Sequence, residues 1–353
     1  AGTTSGTNTG GNGVTTGTGG NGTTTTGAGG INFTSGSGGS TGTGGDNCPD
    51  LEVVADNKKA PSDIIITIDN SGSMGGEITQ VKTNINTNFA AIIGASGIDY
   101  QVIMVTEHNS GTFGVCIEAP LSGIPKGGCA TIGSNPPVEN AKFKHYDINV
   151  QSHDAACLLL TSFDGTTKDQ HNLHPTGWGS VLRPNAVKVF VAITDDGIVC
   201  NYKGKSFNDS DKDGPGKLFA VEWDKALLQL SPGHFGTQAK RNYLFYSLVG
   251  LGIKNPAQPL VPWHWADPVT ETKCSPGSVA PGTGYQWLSK GTKGLRYPIC
   301  PVNGVQDFSA VFKDIAAGVV SGSQLPCEFD LPKPMGGETI NFAKIGLIFS
   351  PTN

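Results

Sequence analysis

From residue 60 onward the chain alternates between two hydrophobic patterns. Residues 63–68 (DIIITI) form a short, nearly continuous β-branched run. Such a run reads as a strand buried on both faces. After a polar Gly/Ser turn, Ile78, Val81, Ile85, Phe89 and Ile92 recur at three- and four-residue steps and predict a helix over about 77–93. The alternation continues with strands at 100–105, 187–194 and 243–249, and with helices at about 217–230 and 307–320. A shorter apolar helix is expected over 154–161. Strand and helix alternating in this order predict an α/β fold, a doubly wound and mostly parallel sheet with helices on both faces. Sheets of that kind bind ligands at the carboxyl ends of their strands.

The first 46 residues break this pattern. They hold 18 Gly, 14 Thr and one charge, Asp46. Gly11-Asn12-Gly13 returns as Gly20-Asn21-Gly22, nine residues on. A calcium-binding β-roll with that period needs an Asp in each turn, and none is present. Two readings stay open: a linker, or an extended arm that adds a strand to another subunit's sheet. Three segments follow: an arm at 1–46, an α/β domain at 47–326, and a C-terminal β extension at 327–353, where 339–349 (TINFAKIGLIF) can supply strands. No secretory leader opens the chain, so Ala1 reads as a mature N-terminus or an artificial start.

Charge and apolar length exclude whole classes. Net charge is −5 and no stripe of Lys and Arg occurs, so nucleic acid is not an expected partner. No apolar run approaches the roughly 18 residues of a membrane-spanning helix. The eight cysteines form neither C-x-x-C nor a zinc-spaced cluster with His. Their even number and loop positions favour disulfides and an extracellular or cell-surface address. The expected pairs are Cys116–Cys129, Cys274–Cys300, Cys48–Cys327 and, by remainder, Cys157–Cys200. Eight reduced thiols in a cytosolic protein are the alternative.

The candidate chemistry sits at strand ends. The first strand runs into Asp69-Asn70-Ser71-Gly72-Ser73, and the 187–194 strand runs into Asp195-Asp196-Gly197. One carboxylate and two hydroxyls in a tight turn are hard oxygen donors, suited to Mg2+, Mn2+ or Ca2+. The competing reading is that Asp69 and the serines cap the next helix. A second acidic motif, Asp209-x-Asp211-x-Asp213-Gly214, matches the first half of a calcium loop. Ala220 stands where the twelfth-position Glu would be, so Glu222 or Asp224 would have to complete a Ca2+ site; a solvated acidic turn is the alternative. No phosphate loop, no nucleophile elbow between a strand and a helix, and no catalytic pair is found, so no enzyme activity is expected. His171-x-x-His174, the Trp263-His264-Trp265 loop and the glycan acceptor patterns at Asn32 and Asn208 carry weaker signals.

D-x-S-x-S after a buried strand, before an amphipathic helix, with T-D-D-G at a second strand end, resembles the von Willebrand factor A domains and the integrin inserted domains. The resemblance covers roughly residues 60–322. It implies a metal-ion-dependent adhesion site in which Asp69, Ser71 and Ser73 are ligands and Asp195 binds directly or through water. The family's second-loop hydroxyl would be Ser152, which precedes the 154–161 helix; Thr176 is the rival. The ion would then accept a carboxylate from a partner protein. With the Gly-rich arm and the C-E-F-x-L-P tail, the chain looks like bacterial surface proteins of that family, secreted or at the outer membrane. The expected function is adhesion or protein binding through a divalent ion. The alternative is a structural subunit of an extracellular filament or sheath, joined to copies of itself through the arm or the C-terminal strand.

Overall fold

The structure is a computed structural model that describes residues 59–259, 261–301 and 307–322. The 1–46 arm, the 327–353 extension and the Cys48–Cys327 pair lie outside the described residues.

Strand β1 (Ser62–Ile68) leads into helix α1 (Gly75–Asn84), which continues through a π-helical stretch, Ile85–Ala90, into α2 (Ala91–Ala95). Next come β2 (Tyr100–Thr106), β3 (Phe143–Asp147), α3 (Ala155–Thr161) and β4 (Val187–Thr194). A small antiparallel hairpin of β5 (Val199–Tyr202) and β6 (Lys205–Asn208) precedes α4 (Asp213–Leu230) and the short α5 (Pro232–Phe235). The chain then forms β7 (Tyr243–Val249), α6 (Thr283–Gly291), β8 (Arg296–Pro298) and α7 (Ser309–Gly322).

Six strands make one sheet in the order β3-β2-β1-β4-β7-β8, and every neighbouring pair is parallel. Successive strand residues face opposite sides, so the β-branched runs feed two cores. Ile64, Ile66 and Ile68 pack with Ile78, Val81, Ile85 and Phe89 of the first helical run and with Phe312 and Ile315 of α7. Ile65 and Phe190 pack on the other face with α3, α4 and α6, through Leu160, Trp223 and Tyr285. Helices on both faces meet the sequence expectation. The chain order reverses between β1 and β4, so a crevice opens at their carboxyl ends.

The differences from expectation have local causes. The π-helical stretch adds a residue to one turn and moves the apolar face on by one, so Ile93 is buried and Ile92 only half-buried. Helix α7 starts two residues late because Asp307 stands ahead of it, its carboxylate accepting the Ser309 N–H at 2.8 Å. Helix α4 starts early, at Asp213, with consequences for the acidic motif. Strands β3 and β8 and the hairpin are too short or too polar to carry a clear period: β3 reads FKHYD and β8 has three residues.

Three disulfides are present among the described residues. Cys116–Cys129 closes the loop after β2, Cys157–Cys200 ties α3 to β5, and Cys274–Cys300 ties the segment before α6 to the end of β8. They fit an oxidising, extracytoplasmic compartment. No helix of the described residues is long and apolar enough to cross a membrane.

Candidate metal centre

Strands β1 and β4 pair with Ile68 opposite Ile193, which sets Asp69 beside Thr194. The Asp69 N–H donates to the Ile193 carbonyl at 3.0 Å. Asp69 is fully buried. One carboxylate oxygen accepts the Ser71 N–H at 2.7 Å and the other accepts the Thr194 hydroxyl at 2.9 Å. Thr194 in turn accepts the Asp196 N–H at 3.1 Å, so one hydroxyl joins the two strand ends. The Ser73 hydroxyl donates to Asp195 Oδ1 at 3.1 Å and lies 3.2 Å from the Ser71 hydroxyl. The Asp195 carbonyl accepts the Val279 and Ala280 N–H groups at 2.9 and 3.0 Å, which fixes the strand end from the far side.

Asp69, Asp195 and Asp196 each place a carboxylate oxygen within 4.8 Å of the others, and all three residues are buried. Two ionised carboxylates at that spacing repel by about 3 kcal/mol in a medium of effective dielectric 20. The nearby cationic candidate among the described residues is the half-exposed His153, 3.7 Å from Asp196. Burial first, then the charges of Asp196 and Asp69, pushes the Asp195 carboxyl up to about 6. Burial also raises Asp69, against the hydrogen bonds from Ser71 and Thr194. It raises Asp196 as well, against His153 and the Ser152 hydroxyl.

This donor set can hold a metal ion. Every candidate ligand atom is an oxygen, which fits Mg2+, Mn2+ or Ca2+ and not a soft metal. The carboxylates form the buried floor, while Ser73 is exposed and Ser71 half-buried on the solvent side. The capping alternative is not what the structure shows: α1 has no side-chain cap hydrogen bond, and Asp69 bonds to its own turn.

The sequence-expected residues fare unequally. Asp69, Ser71, Ser73 and Asp195 come together. Ser152 lies near the same place, its hydroxyl close enough to Asp196 to hold that carboxyl down against burial. Thr176 packs on the turn at Gly165, beyond the other end of α3. Asp196 was not singled out from the sequence; the T-D-D-G motif offered two carboxylates, and both belong to the cluster.

Asp209, Asp211 and Asp213 are not gathered around one point. Asp213 opens α4, where a carboxylate suits the helix dipole, and its oxygen accepts the Trp287 indole N–H at 2.9 Å. Asp209 is buried and accepts the Thr283 hydroxyl and the Gly284 N–H at 3.2 and 3.0 Å, which anchors the start of α6. Asp211 lies beside Asp209 at Gly197, where a Cβ would come within 2.7 Å of Asp211 and 3.0 Å of Asp209. The residues expected to complete a calcium loop are engaged elsewhere: Glu222 pairs with Lys205 at 2.6 Å, and Asp224 accepts from Arg241 Nε and Nη2, each at 2.7 Å.

His171 and His174 also serve local contacts, with Asp147 at 3.0 Å and Glu139 at 2.7 Å. In the Trp263 loop, the Trp263 indole donates to the Gly252 carbonyl at 3.0 Å, while Trp265 is exposed.

No protein-family model matches the chain, and no curated protein matches it.

Proposed function

We propose that this chain is an extracellular or cell-surface binding module, similar to von Willebrand factor A domains, that captures a carboxylate of a partner protein on a divalent ion. Asp69, Asp195 and Asp196 would hold the ion from below, with Ser71, Ser73 and Ser152 supplying hydroxyls. The ion, when bound, offers an electrophilic point to an incoming carboxylate. The residues of the chain do the rest: the buried carboxylates anchor the charge, Thr194 holds Asp69 and Asp196 in register, and the serines leave the solvent side open. Binding is the whole of this activity, and no bond is made or broken. The observation that carries the reading is the Ser73 hydroxyl meeting Asp195 at 3.1 Å across 122 residues of sequence, at the crevice between β1 and β4.

The test is a titration of chelator-stripped protein with Mn2+, followed by water-proton relaxation. Saturable one-site uptake is expected, competed by Mg2+ or Ca2+ and lost in Asp69→Asn. Adding an acidic peptide should displace metal-bound water and lower the relaxation enhancement. Uptake that Asp69→Asn leaves unchanged would remove the metal from this place.

A further inference from the structure

The middle residue of the first loop, Asn70, is neither a candidate ligand nor a free surface side chain. It is 6% exposed. Its Oδ1 accepts the Glu107 N–H at 2.9 Å and the Val150 N–H at 3.2 Å. The Thr106 hydroxyl lies 2.9 Å from the same oxygen and 2.9 Å from the Ile68 carbonyl, with one proton shared between them. The Asn70 amide nitrogen donates to the Phe113 carbonyl at 2.7 Å. Its main-chain N–H donates to the Val150 carbonyl at 2.8 Å, so Asn70 and Val150 hold each other reciprocally.

These contacts join every loop on one side of the crevice. Thr106 ends β2, Glu107 and Phe113 lie in the loop after it, and Val150 lies in the segment between β3 and α3. Ser71 is the next residue after Asn70, and Ser152 is two residues after Val150. The spacing between these two hydroxyls is therefore set through one side chain. The chemistry demands an amide. A carboxylate would set an oxygen against the Phe113 carbonyl, and an aliphatic residue would strand the buried N–H groups of Glu107 and Val150, each a costly loss. Glu107 extends the network, accepting Asn109 at 2.8 Å and Asn149 at 2.5 Å.

We propose that Asn70 is the positioning residue of the metal centre, locking the β1, β2 and β3 loops into one body so that Ser71 and Ser152 face the same ion. The inference rests on the metal reading above and adds a residue that touches no ligand. Partners that orient the residues binding a metal typically contribute ten- to hundredfold in affinity.

The experiment measures Mn2+ affinity by isothermal titration, with the Mn2+ electron paramagnetic resonance line shape, for wild type, Asn70→Ala and Asn86→Ala. Asn86 is the control: it also bolts a loop to the core, through Glu118 and Leu121 at 3.0 and 3.1 Å, but away from the crevice. Asn70→Ala is expected to weaken Mn2+ binding at least tenfold and broaden the spectrum. Asn86→Ala should stay within about twofold at a comparable loss of melting temperature. If Asn70→Ala does not fold, Thr106→Val removes one donor and should weaken binding several-fold. Asn70→Ala or Thr106→Val with wild-type affinity would overturn the positioning role and leave the metal site standing. Wild type that takes up no Mn2+ would overturn the metal site itself, and the positioning role with it.

Discussion

Replacing Asp195 by Asn tests the centre through its electrostatics. In the metal-free protein Asp195 is held at about 6 against an ordinary value of 3.8, mainly by burial and by Asp196. At pH 7 that difference costs the folded state about 3 kcal/mol. Asn keeps the shape and removes the charge. It keeps an oxygen for Ser73 and loses the charge assistance in that bond, about 1 kcal/mol. The net expectation is a gain of about 2 kcal/mol in chelator, or about 3–4 °C in melting temperature for a domain of this size. The pH dependence has a definite sign. The folded state binds the proton more tightly than the unfolded chain, so this group lowers stability as pH rises from about 4 to about 6, and the penalty is complete above that window. The Asp195→Asn protein should lack most of that slope. With Mn2+ at a hundred times its dissociation constant, wild type should gain about 2.7 kcal/mol, and Asp195→Asn should lose most of that gain. The assay is thermal unfolding in chelator and in Mn2+ across about pH 4–8, which brackets both the unfolded and the folded titration of this carboxyl. An Asp195→Asn protein that melts lower in chelator and keeps the full metal shift would refute the reasoning, making the three carboxylates a structural hydrogen-bond cluster.

Three further outcomes are expected. Asp63→Ala should cost about 3–5 kcal/mol in urea unfolding, because Asp63 and Lys188 are fully buried and Arg183 Nε lies 2.7 Å from the Asp63 carboxylate; a loss under about 1 kcal/mol, the worth of an exposed pair, would contradict this. Replacing Cys157 and Cys200 by Ser should cost about 4 kcal/mol from the entropy of a 43-residue loop, seen as a lower midpoint without reductant and no difference from wild type with it. Gly197→Ala should lower stability by about 1–3 kcal/mol and weaken Mn2+ binding, since the new methyl group would meet the Asp211 and Asp209 carboxylates at 2.7 and 3.0 Å, next to Asp196; unchanged melting and metal uptake would show that the turn relaxes freely.

The sequence alone determined the layers of this fold. Continuous β-branched runs such as 63–68 and 187–194 have one stable home, a strand covered on both faces. The stepped apolar residues from Ile78 to Phe89 likewise give one face of a helix. Local chemistry also marked Asp69, Ser71, Ser73 and Asp195, because polar residues that end a buried strand stand at the crevice mouth. What tertiary structure alone decided was convergence. Asp209-x-Asp211-x-Asp213 has calcium-loop spacing, yet Asp213 went to the start of α4 and Asp209 to the start of α6, because helix termini and Trp287 compete for the same carboxylates. Asp196 joined the centre because Thr194 turns its backbone toward Asp69, and Asn70 became a hub because Glu107 and Phe113 arrive from the loop after β2 and Val150 from the segment after β3. Spacing constrains only neighbours in sequence, whereas a centre of this kind is set by hydrogen bonds between segments far apart in the chain, such as Ser73 with Asp195, 122 residues away.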